Sequence, residues 1–142
     1  MSLRGACACN NLSVTWRTVD YSLVPRACQC GYCRERDVAW VSKSGTFVAI
    51  DVARPALHRV QRQGSGQAAF HECSNCDGVV AVTAQLEGEL FAALNANCLH
   101  NPAGFAQPVA MTPGEQSPRE KAQRWRSNWC SVARMPELAG GH

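Results

Sequence analysis

Seven of the nine cysteines in this sequence fall in three tight clusters. Cys7 and Cys9 form CxC, Cys28, Cys30 and Cys33 form CxCxxC, and Cys73 and Cys76 form CxxC. Cys98 and Cys130 stand apart. Clustered thiols serve disulfide chemistry or metal ligation. The odd total and the clustering weigh against a disulfide framework. A redox CxxC needs a βαβ context, and the flanks here read as strands. Iron–sulfur runs follow C-x2-C-x2-C-x3-C or C-x4-C-x2-C, and neither occurs. Zinc is the favoured reading.

In an extended strand, residues i and i+2 share a face, so Cys7 and Cys9 can offer two sulfurs from one strand. A CxxC turn offers two more around a knuckle. Two such pairs make the closed tetrahedral set of a structural zinc. The three sulfurs of CxCxxC have no obvious fourth, and three protein ligands with one open position is the arrangement of a catalytic zinc. Counting therefore predicts two zinc ions per chain, one closed and one open, without saying which clusters join. The residue after a metal knuckle often needs positive φ. Asn10 and Asp77 stand there, and Asn and Asp tolerate that conformation best after glycine.

The elements that must position these clusters read as short strands. Asn11 to Arg17 alternates apolar and polar residues, as a half-buried strand does. Val38–Val41, Thr46–Ile50 and Leu57–Val60 are β-rich runs, with Gly45 and Gly64-Ser65-Gly66 as turns. Ala68–Phe70 leads into CxxC and Val79–Thr83 leaves it, which places CxxC at a hairpin turn. Leu90–Leu94 fits a further strand. Four prolines between Pro102 and Pro118 predict a surface loop. Ser117-Pro118-Arg119-Glu120 is a capping box with proline at the first helical position, so a short helix follows to about Trp125. The pattern predicts an all-β domain with a short C-terminal helix.

The bulk properties agree. The chain has 142 residues, 46% hydrophobic and 18% charged, the size and composition of one globular domain spanning residues 1–142. Its net charge of +3 is too mild to predict nucleic acid or a membrane as partner. The basic excess, nearly all arginine, lies around the first cysteines: nine basic and four acidic residues in 1–62 against five and seven in 63–142. No run of eighteen apolar residues predicts a transmembrane helix. The opening Met1-Ser2-Leu3-Arg4-Gly5 does not read as a signal peptide. The expectation is a cytoplasmic protein with reduced thiols.

Three segments together resemble a known family. Gly5-Ala6-Cys7-Ala8-Cys9, Cys28-Gln29-Cys30-Gly31-Tyr32-Cys33-Arg34 and Phe70-His71-Glu72-Cys73-Ser74-Asn75-Cys76 are similar to the motifs of the glutathione-dependent formaldehyde-activating enzymes. These are also called S-(hydroxymethyl)glutathione synthases, and centromere protein V is a relative. The resemblance covers about residues 5–102, with 103–142 as loop and helical tail. It implies that Cys7, Cys9, Cys73 and Cys76 hold a structural zinc and that Cys28, Cys30 and Cys33 hold a reactive one. It also implies several small antiparallel sheets around the two zinc sites. Asn10 and Asp77 depart from the family's glycines, and His100 and Asn101 from its acidic pair.

The implied activity is that of a carbon–sulfur lyase, condensing glutathione with formaldehyde. Zinc coordination turns a thiol into a thiolate and polarises an aldehyde oxygen. Three thiolates on Zn²⁺ leave a negative site, and glutathione is itself anionic. Arg26, Arg34 and Arg36 flank the cluster, and arginine forks suit carboxylates. Each is equally read as a solvated surface charge. The alternatives are a non-catalytic zinc-stabilised binding or scaffold domain, or related chemistry on another thiol or aldehyde. In a scaffold, Cys98, His71, His58 or His100 would close the second site, although each alone reads as packed or solvated. Cys130 reads as a bystander, and Trp16, Trp40, Trp125 and Trp129 as packing.

Overall fold

The computed structural model describes residues 3–18, 23–28, 33, 35–36, 38–62, 67–86, 88–100, 105, 108–111 and 118–135. Cys30, Arg34, Gly64 to Gly66, Asn101, Pro102 and Ser117 lie outside them, as does the side chain of Cys28. The described residues form eleven strands and one α-helix. The strands are β1 (Leu3–Ala6), β2 (Leu12–Trp16), β3 (Arg26–Cys28), β4 (Trp40–Val41), β5 (Phe47–Val52) and β6 (His58–Arg62). They continue with β7 (Ala68–Cys73), β8 (Val79–Leu86), β9 (Glu89–Asn95), β10 (Val109–Met111) and β11 (Cys130–Arg134). The helix α1 spans Pro118–Asn128. The fold is all-β with one short C-terminal helix, and no helix among the described residues is long and apolar enough to cross a membrane.

The strands hydrogen-bond into one connected network rather than separate sheets. Its main path runs β1-β2-β5-β11-β9-β4-β3-β10, and the β6-β7-β8 meander branches from β9. Most pairings are antiparallel, but β10 runs parallel to β3 and β11 parallel to β5. The β8–β9 ribbon is buried on both faces. Ala81, Ala92 and Leu94 join a core with Leu12, Val14, Trp16 and Ile50, while Val82, Ala84, Phe91 and Ala93 join a second with Trp40, Trp125 and Trp129. A strand covered on both sides loses its polar alternation, which explains the unbroken apolar run from Val79 to Val82.

All four tryptophans are buried. Trp125 and Trp129, one helical turn apart, stack with centroids 4.8 Å apart and cap the second core. Trp16 keeps its indole N–H satisfied on Thr46 Oγ1 at 2.9 Å, as a buried indole must. Asn95, also buried, donates to the Val79 carbonyl at 2.8 Å and accepts from the N–H of Asn97 at 3.1 Å.

Candidate metal centre

Cys7 and Cys9 sit in the turn between β1 and β2. The strand reading of CxC is thereby corrected: β1 ends at Ala6, and the Asn10 N–H donates back to the Cys7 carbonyl at 2.9 Å. A knuckle replaces the strand because Asn10 takes φ 64°, the left-handed conformation that asparagine tolerates. Cys73 ends β7, and Cys76 lies in the turn to β8, closed by the Asp77 N–H on the Cys73 carbonyl at 2.7 Å. Asp77 takes φ 61°. The two knuckles thus use matching conformations at the positions expected for them.

The two turns face each other. The Sγ atoms of Cys7, Cys9, Cys73 and Cys76 all lie within 4.8 Å of one another, a set that can hold a metal ion. Cys7 and Cys9 are 3.8 Å apart and Cys9 and Cys73 3.5 Å. A tetrahedron of Zn–S bonds of about 2.3 Å sets sulfurs roughly 3.8 Å apart, so the spacing fits. Sequence counting left the pairing of clusters open, and the structure joins CxC to CxxC. Among the cysteines whose side chains are described, none is in a disulfide.

The surroundings suit thiolates. The Leu12 N–H donates to Cys7 Sγ at 3.4 Å, and the Asn11 amide donates to Cys73 Sγ at 3.7 Å. Asn11 is itself fixed: its Oδ1 accepts the Arg54 N–H at 2.6 Å and its Nδ2 reaches the Arg54 carbonyl at 3.3 Å. Burial pushes the Cys7 thiol up to about 12, whereas the Asn75 side chain and the Asn11 N–H bring Cys9 down to about 6. Holding both sulfurs as thiolates therefore calls for a cation beside them. Gly78, just before β8, closes the site: a Cβ there would lie 2.9 Å from Cys7 Cβ.

The second cluster is placed by its ends. Cys28 closes β3, paired with Met111 of β10. Cys33, only 1% exposed, packs in the Trp40–Trp125 core, and its carbonyl accepts the N–H groups of Arg36 and Val38. Arg26 donates from Nη2 to Ser42 Oγ at 2.8 Å. Arg36 reaches Glu72 Oε2 at 3.3 Å and Glu35 at 3.7 Å. Glu72 is fully buried and also receives Arg59, which extends to Asp77 Oδ1 at 3.1 Å. One carboxylate beside Cys73 therefore ties together the segment after Cys33, β6 and the turn that carries Cys76.

The candidate fourth ligands have other work. Cys98 donates to the Val79 carbonyl at 3.2 Å, and burial raises its thiol to about 11. His71, fully buried, meets His58 Nε2 at 2.9 Å and Thr83 Oγ1 at 2.7 Å, and burial holds it neutral with its pKa near 3. His100 is exposed. Cys130 is in the core. Sequence reasoning missed Asn11, Glu72 and the His58–His71–Thr83 chain. The signal for Glu72 was a lone acidic residue in a largely apolar strand, next to Cys73.

Fold and site together define a small all-β domain built round a four-cysteine cluster. Among solved structures, a Rhodobacter sphaeroides protein from structural genomics shares this fold, with TM-score 0.59 at 17% identity, covering 76% of this chain and 99% of that one. No protein-family model and no curated protein matches the chain.

Proposed function

We propose that the domain binds two zinc ions and acts as a zinc-dependent enzyme joining a small thiol to an aldehyde, as the resemblance to the glutathione-dependent formaldehyde-activating enzymes implies. The observation that carries this reading is the four-sulfur cluster of Cys7, Cys9, Cys73 and Cys76. Two turns distant in sequence bring four sulfurs together, so in this reading the second zinc falls to Cys28, Cys30 and Cys33. Three ligands leave one position for substrate. Bound there, zinc lowers the pKa of an incoming thiol.

In the reaction the glutathione S–H adds across the formaldehyde C=O. The S–C bond forms, the carbonyl π pair takes a proton, and S-hydroxymethylglutathione results. Arg26 and Arg34 favour an anionic thiol over a neutral one. Arg36 is committed to Glu72 and contributes by fixing the segment. The setting is cytoplasmic, with small molecules rather than nucleic acid or membrane as partners.

The test is elemental analysis with a thiol titration. Two zinc ions per chain, glutathione binding with proton release, and faster hemithioacetal exchange by NMR in the presence of formaldehyde are expected. One zinc with no glutathione binding refutes it. The commitment of Arg36 to a structural ion pair favours, as the second reading, a zinc-stabilised binding domain without turnover. A fourth protein ligand at Cys28, Cys30 and Cys33 would establish that.

A further inference from the structure

Arg26 sits at the wall of a cavity of about 270 Å3 shared by β3, the segment after β4 and the end of α1. Ser42, Lys43, Ser44, Ser127 and Asn128 line it with Arg26, and no carboxylate does among the described residues. The guanidinium is half-buried. It has five N–H donors, yet its hydrogen bond within the protein goes to the Ser42 hydroxyl. Burial opposes its charge first, and the neighbouring Arg124 guanidinium opposes it further. Two like charges have been brought together beside three hydroxyls. The C-terminal end of α1 at Asn128 offers only about half a negative charge, less than the Arg26 cation needs.

We propose that this cavity is an oxyanion site, taking one carboxylate or phosphate group of a small ligand on the Arg26 fork, with the Ser42, Ser44 and Ser127 hydroxyls around it. An anion there gives the part-buried Arg26 a charge partner, and charge-assisted bidentate bonds are the strong class. Arg26 lies two residues before Cys28 in β3, roughly 7 Å along the strand. An anchored carboxylate is therefore within about 7 Å, along the strand, of where the CxCxxC segment begins. That link rests on the thiol–aldehyde reading; the anion site does not.

The full zinc-loaded chain is titrated with inorganic phosphate and with succinate, followed by amide NMR. Saturable shifts at Ser42, Ser44, Ser127 and Asn128 are expected with at least one of the two, and which one answers identifies the group. Arg26→Met should weaken binding about tenfold, the worth of one charge-assisted bond. Ser127→Glu, at an exposed helix position, keeps the fold and supplies a competing carboxylate, so it should abolish binding even if Arg26→Met folds poorly. No saturable shift with either anion overturns the proposal. So do shifts confined to the exposed basic face at Arg119 and Arg126, unchanged by Ser127→Glu. Glutathione that moves the cavity amides but not those around Cys33 keeps the anion site and removes its link to the cysteines.

Discussion

Replacing Gly78 with alanine puts a methyl carbon 2.9 Å from Cys7 Cβ and 3.4 Å from Cys76 Sγ. Carbon atoms rest about 3.5–4.0 Å apart, so Cys7 must retreat by roughly 0.6 Å or more. Metal–ligand distances tolerate only about 0.2 Å. The neighbour is the root of a ligand side chain in a tight turn rather than the tip of a flexible one, so it cannot move without carrying Sγ along. Overpacking of this kind costs about 1–3 kcal/mol, which is about 5- to 150-fold in metal affinity. Competition for zinc against a chromophoric chelator reads this directly. Gly45→Ala is the control. Gly45 has nothing within 4 Å but sits at φ 81°, so alanine there should cost about 1–2 kcal/mol of stability and leave zinc affinity unchanged. Zinc affinity within twofold of the parent in Gly78→Ala would refute the assignment of this cluster as a metal site closed by Gly78.

Cys73→Ser should yield an insoluble or low-melting protein, because structural zinc contributes folding free energy. Cys30→Ser should fold and retain one zinc, and equal loss of melting temperature in the two variants would contradict the division of roles. Glu72→Gln strips a buried carboxylate from Arg36 and Arg59. With both arginines partly exposed, the expected cost is about 1–3 kcal/mol, read from the denaturant midpoint. His71 has its folded pKa depressed to about 3, so below the unfolded value of about 6.5 the unfolded chain takes up a proton the native state refuses. Stability should fall with pH between about 6.5 and 3, at up to roughly 1.4 kcal/mol per unit. His71→Gln should show a shallower fall than the parent over that window, and any metal contribution common to both cancels in the comparison.

What could be read from sequence was local. The period of Leu12–Trp16, the turn chemistry of Asn10 and Asp77, and the proline that opens α1 each act within a few residues. Their structures followed, although α1 runs on to Asn128 because Trp129, in the following turn, still packs on the second core. β1 escaped notice because four residues including Gly5 carry little period. Gly5 is needed there since any side chain would strike the Cys98 carbonyl, 2.5 Å away. β3, β10 and β11 were invisible for a different reason. Two of their pairings are parallel and join distant segments, and nothing within three to five residues announces a distant partner. The same holds for Glu72, whose partners come from two other segments.

The position of β11 governs the order in which this chain can assemble. It lies between β5 and β9, so in the main ladder the N-terminal arm of β1, β2 and β5 meets the rest through the segment that leaves the ribosome after every other described strand. Until Cys130 to Arg134 emerges, that arm has an open edge on β5, the kind of edge that invites association with other chains. The four-cysteine cluster spans the same divide and needs nothing beyond Cys76. A metal ion captured early would clasp the two halves during synthesis and shorten the loop that β11 must later close. Zinc starvation should therefore harm the nascent chain more than the finished one, with aggregation during expression exceeding that caused by chelating the purified protein.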